Sequence, residues 1–98
     1  MKGSTISNEN AKRIMFEIYR EGPQAGPYKV VYFTELGEHE RELEISNAMR
    51  GEHVFDGFLY SDSRHKAKQV INSLLDRLNQ GQAVQPPEIE RELEPYLV

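Results

Sequence analysis

Three histidines, His39, His53 and His65, are the only side chains in this sequence whose unperturbed titration lies near neutral pH. In an extended hairpin through residues 39–60, His53 sits by the turn. His39 then lies at the far end, on the order of 25–30 Å away at the rise of a strand, so these two cannot share a metal. His65 opens a helix just after the last strand, at the same end of the sheet as His39. His39 and His65 can therefore gather with Glu38, Glu40 and Asp62 at one edge, a set suited to a divalent transition metal or to proton transfer. The spacing matches no specific ligand motif, and solvated loop and cap residues would read the same way.

A second cluster is the run SDSRHKAK. Ser61 and Ser63 are good helix N-caps, and Arg64, Lys66 and Lys68 surround the helix start that follows. Free backbone donors and the helix dipole already favour anions there, so basic side chains at this end suit a bound phosphate or another anion. The competing reading is that acidic residues 38–44, or Asp62, neutralise them within the fold. The cluster is too short for an extended track, and the acidic segment 35–60 lies close by in the chain. Small anions are the expected ligands, and tight binding of duplex nucleic acid is not expected.

A third set carries no chemistry of its own but suits contact. Met15, Tyr19, Tyr28 and Tyr32 are expected on one sheet face, opposite the face that a helix covers. Exposed Tyr and Met are typical of interfaces, so a protein partner or a second copy of the chain is expected there, unless the C-terminal tail covers it.

Other classes are excluded or unsupported. There are no cysteines, which removes disulfides, thiolate metal sites and cysteine nucleophiles. No Gly-rich phosphate loop and no His-Glu-x-x-His pair occurs, the serines fall at loops and caps, and no cofactor is implied. An enzyme is not expected. No stretch reaches the length of a membrane span, no signal segment opens the chain, and the cytoplasm is the default location. The formal net charge of −4 hides an alternation: residues 35–60 carry two basic and seven acidic groups, whereas 1–34 and 61–81 are each net basic.

The elements that must position these groups follow from periodicity. Ile14, Phe16 and Ile18 alternate with polar and larger residues over 12–20, which predicts a half-buried strand. EGPQAGP breaks it, and YKVVYFTE over 28–35 predicts a second strand. Over 39–48, Leu43 and Ile45 alternate with Glu42 and Glu44, and the poor helical stripe favours a third strand with an acidic outer face. HVFDGFLY over 53–60 predicts a fourth, with a bulge at Asp56-Gly57. Ala67, Val70, Ile71, Leu74, Leu75 and Leu78 form one apolar stripe, predicting a helix over 64–79 with Gly81 just past its end. It should bury that stripe against Ile14, Phe16, Ile18, Leu43 and Ile45. The tail PEIERELEPYLV suits a short helix with Ile89 and Leu93 on one side. The expected fold class is α+β: a four-stranded antiparallel sheet in the order β-β-β-β-α, one long amphipathic helix on one face, and a possible short C-terminal helix. Residues 1–11 read as an N-terminal tail, 12–81 as a single domain, and 82–98 as linker and C-terminal segment.

Overall fold

A computed structural model describes residues 13–22 and 26–98. The expected N-terminal tail, 1–11, lies outside the described residues. The class is α+β, but among the described residues there are a three-stranded sheet and three α-helices, not four strands and one long helix. β1 (Arg13–Arg20) is central, flanked by β2 (Tyr28–Tyr32) and β3 (Glu52–Tyr60), with both pairings antiparallel. Between β2 and β3 runs α1 (Glu38–Arg50), and α2 (Arg64–Asn79) and α3 (Pro86–Leu93) follow β3.

β1 contributes buried side chains to both faces because helices pack on both sides of the sheet. Ile14, Phe16 and Ile18 point to one side and Tyr19 to the other. β2 stops three residues earlier than its β-rich sequence predicts, in a 3-10 turn at Phe33–Glu35. There the Thr34 hydroxyl oxygen accepts a hydrogen bond from the Met15 N–H (3.1 Å), taking the place of the next ladder carbonyl. β3 runs unbroken through Asp56-Gly57. The irregularity expected there falls instead at Val54, where the register with β1 shifts between Ile18↔Phe55 and Tyr19↔His53.

The segment read as a third strand is α1. Its apolar residues make a poor stripe because only Ala48 is fully buried, while Leu43 and Ile45 stay 54% and 41% exposed. Local chemistry decides for the helix. Glu38 and Glu40 occupy the first turn, where the dipole favours acids, and Glu40 reaches back to accept from the Gly37 N–H (3.2 Å), half of a capping box. At the other end Gly51 allows a sharp turn into β3: a Cβ there would collide with the Arg20 carbonyl oxygen.

α2 spans the predicted residues and ends as predicted. Gly81 takes a φ of 88°, and the Gly81 and Gln82 N–H groups donate to the Leu78 and Arg77 carbonyls (both 3.0 Å), which is a Schellman cap. At its start no side-chain cap bond forms from Ser63. Ala67, Ile71, Leu74 and Leu78 are buried against Ile14, Phe16, Ile18 and Leu59, with Val70 and Leu75 half-buried beside them. Leu43 and Ile45 are not part of this contact, since α1 packs on the other side of the sheet through Tyr19, Val31, Phe33 and Ala48. The C-terminal segment completes the α2 face. Val84, Ile89 and Leu93 belong to its buried core, Leu97 bridges Leu59, and the Val98 N–H donates to the Phe58 carbonyl (2.9 Å). Arg77 of α2 clamps α3 through Glu88 (2.6 Å) and Glu92 (3.6 Å).

Candidate functional site

The tyrosines expected to share a face are divided between two. Phe16 pairs with Tyr32 and Arg20 with Tyr28, so Tyr28 and Tyr32 share a side with Phe16 and pack beneath α2. Tyr28 is held there by Asn79 at the end of α2, whose Oδ1 accepts from the Tyr28 N–H (2.7 Å) and whose Nδ2 donates to the Tyr28 carbonyl (3.2 Å). Met15 and Tyr19 lie on the opposite side. Tyr19 is buried next to α1, where burial first and then Glu44 raise its phenolic pKa.

Burial, with a smaller contribution from Glu35, pushes the Tyr32 pKa up from 10.0 to about 12. Among the described residues its hydroxyl has no protein hydrogen-bond partner, although Lys68 Nζ lies 4.5 Å from the ring centroid. Replacing Tyr32 by Phe keeps the ring and removes a desolvated hydroxyl. The variant is expected to be as stable as the parent or up to about 1 kcal/mol more so at pH 7. A raised tyrosine pKa means the unfolded chain loses its proton first. The parent should therefore lose stability between pH 10.0 and about 12, and Tyr32→Phe should lack that part of the loss. Urea melts of both proteins across this range check both expectations; a large loss at neutral pH would show that the hydroxyl is satisfied.

The two candidate metal histidines are not brought together. His39 is in the first turn of α1 and His65 in the first turn of α2, and these helices lie on opposite faces of the sheet. Among the described residues no three His, Asp or Glu side chains group closely enough to hold a metal ion. His53, which the sequence assigned no partner, has its Nδ1 2.9 Å from Glu17 Oε2 on the α1 side of the sheet.

The anion cluster is partly neutralised within the fold. Lys68 pairs with Glu35 (2.7 Å), and Arg64 donates to the Ser61 carbonyl (3.2 Å). Lys66 is exposed and Ser63 precedes the helix without capping it. Ser61 and Arg64 do line a depression of about 400 Å³, together with Arg13, Ile14, Thr34 and Glu35.

A site that the sequence reading missed lies on the α1 side. Met15, Glu17 and Phe33 form the floor of a groove of about 250 Å³, and Arg41, Ile45 and Met49 form its helical wall. Phe58 pairs with Met15 in register and so continues the same face. Met15, Ile45, Met49 and Phe58 are 36%, 41%, 79% and 42% exposed. Arg41 is committed to the wall itself: its Nε donates to the Phe33 carbonyl (3.2 Å) and its Nη2 to the Leu36 carbonyl (3.4 Å). The signal was present in the spacing of Arg41, Ile45 and Met49, which become adjacent side chains on one face only if 38–50 is helical. The geometry offers apolar contact and carboxylates at its borders, with no nucleophile-base pair.

In comparisons with known proteins, no family model matches this chain, and no curated protein or solved structure is significantly similar to it. Among the described residues no helix is long and apolar enough to cross a membrane.

Proposed function

We propose that this protein is a small non-enzymatic binding module of the cytoplasm that holds another protein on the α1 side of its sheet. The observation that carries the reading is the groove of Met15, Phe33, Ile45 and Met49, continued by Phe58, on the α1 side of the sheet. Neighbouring exposed apolar side chains on one face mark interaction surfaces, unlike single scattered ones. Met is especially suited to a contact surface because its unbranched chain adapts to the partner's shape. Of the four residues first expected to form an interface, Met15 lies in this groove, Tyr19 is buried on the same side in the cluster with Phe33 and Ala48, and Tyr28 and Tyr32 serve the core under α2.

Anion binding at the start of α2 ranks second. The depression beside Arg13 and Arg64 favours it. Against it, Lys68 is already matched by Glu35, and Glu35 adds a carboxylate to the same depression.

The docking reading is tested by a photo-activatable residue at position 49, with position 69 on the exposed side of α2 as control. A discrete cross-linked species is expected from position 49 only, and it should vanish when Phe58 is replaced by Ser. Equal cross-linking from both positions, or none from position 49, would overturn the reading.

A further inference from the structure

The groove says something about its occupant. Resting on the docking reading above, we infer that this face takes a basic amphipathic helix from another protein. Carboxylates surround an apolar seat, and basic side chains would complement them. Glu38 and Glu42 precede Ile45 and Met49 at helical spacing, so these four residues share one side of α1. Across the groove, Glu17 lies on the floor and pairs in register with Asp56 of β3. Carboxylates thus stand on both sides of the apolar strip. The cations nearest to it are engaged or peripheral. Arg41 is held by two backbone carbonyls, His53 lies against Glu17, and Arg13 stands at the end of the strip opposite Tyr60.

A helix fits this surface better than a strand does. Its seat lies between a helix and a sheet, and Arg41, Ile45 and Met49 repeat along the wall every four residues, a groove that a second helix can follow. A strand would need a free sheet edge. On β3 that edge carries Glu52 and Asp56, is kinked at Val54, and is closed at its far end by Leu97 and Val98. Each of these features discourages strand addition.

A second copy of this chain fits less well. A two-fold interface sets the same patch against itself, which would bring Glu38, Glu42, Glu17 and Asp56 towards their own duplicates. Like charges across an interface oppose association, whereas Lys or Arg from a partner would meet Glu38, Glu42 and Asp56, with Glu17 already held by His53.

The test uses three model peptides of about 18 residues, long enough to form a few helical turns. They share one Leu face, and the opposite face carries Lys, Gln or Glu. Each is titrated into the ¹⁵N-labelled full chain by NMR at about 0.05 M salt, and again at about 0.3 M, where surface charge is more strongly screened. The Lys peptide is expected to bind at least about 10-fold more tightly than the Gln peptide, and the Glu peptide least. Shifts should centre on Met15, Ile45, Met49 and Phe58. Higher salt should erode the Lys preference, and a Glu38→Gln, Glu42→Gln double variant should weaken the Lys peptide several-fold while lowering the melting temperature only slightly, by the small loss of Glu38 from the first turn of α1.

If all three peptides bind this face equally, the docking reading stands and the basic partner is refuted. If Lys-peptide shifts centre instead on the acidic C-terminal helix, the inference also falls. Light scattering that finds a dimer dissolved by Met49→Ser would refute the foreign helix, keep this face as the docking surface, and make its occupant a second copy instead of another protein. A monomer whose groove is untouched by any peptide overturns both.

Discussion

A chain ended at Gln82 is expected not to fold cooperatively. Residues 82–98 read in the sequence as a linker and C-terminal segment outside the domain at 12–81, with a proline-rich junction and a largely acidic tail. Their apolar side chains nevertheless belong to the principal core: Ile89 and Leu93 are fully buried and Val84 nearly so. Each such side chain contributes about 1.5–3 kcal/mol by leaving water. Their loss would also uncover Leu59 and part of the α2 stripe, and would remove the Arg77 clamp to Glu88 and Glu92. The total is comparable to the whole stability of a domain this size, about 5–15 kcal/mol. Thermal melts followed by circular dichroism should show a cooperative transition for the full chain and a broad or absent one for the shortened chain. A sharp transition within a few degrees of the full chain's would show that the tail merely rests on the surface. Ile89→Ala is the milder version, with an expected cost of about 2–5 kcal/mol.

The elements that were legible carry their information locally. The stripe of α2 is complete within one segment, its end is marked by the one residue type that readily takes positive φ, and both are present in the fold. Ile89 and Leu93, four apart after two prolines, likewise identify α3 as a helix with one buried side. What could not be read depends on relations between segments. Whether Tyr32 shares a face with Tyr19 or with Phe16 is set by the β1–β2 register, and a shift of one residue exchanges the faces. The intervening EGPQAGP loop is too long for a tight turn to fix that register. In α1 the difficulty is different. A helix resting on the sheet through little more than Ala48 has no need of an apolar stripe, so the alternation of Leu43 and Ile45 with glutamates resembled a strand. That one substitution of helix for strand also concealed the groove. Ile45 and Met49 become neighbours only at helical spacing, and Phe58 joins them only when β3 pairs with β1 instead of with residues 39–48.

The pair Leu74→Ala and Leu43→Ala separates the two architectures by stability alone. In a four-stranded sheet beneath a single helix, both leucines would face each other in one core, and both truncations would be costly. In the three-stranded fold they part company. Leu74 is fully buried between α2 and the sheet, in contact with a cluster that includes Phe16, Ile18 and Leu59. Its truncation should cost about 2–5 kcal/mol, the transfer of the lost methyl groups plus the cavity they leave. Leu43 is 54% exposed on α1 and belongs to neither buried cluster. Alanine is also the better helix former, so Leu43→Ala should change stability by no more than about 0.5 kcal/mol. Urea denaturation of the two variants and the parent, with equal m-values as evidence of comparable transitions, gives the difference directly. Similar large losses at both positions would restore the strand at 39–48 and remove the helical wall of the groove. A large loss at Leu74 alone requires α1 to lie outside the α2 core, the placement on which the open face of Met15, Ile45, Met49 and Phe58 depends.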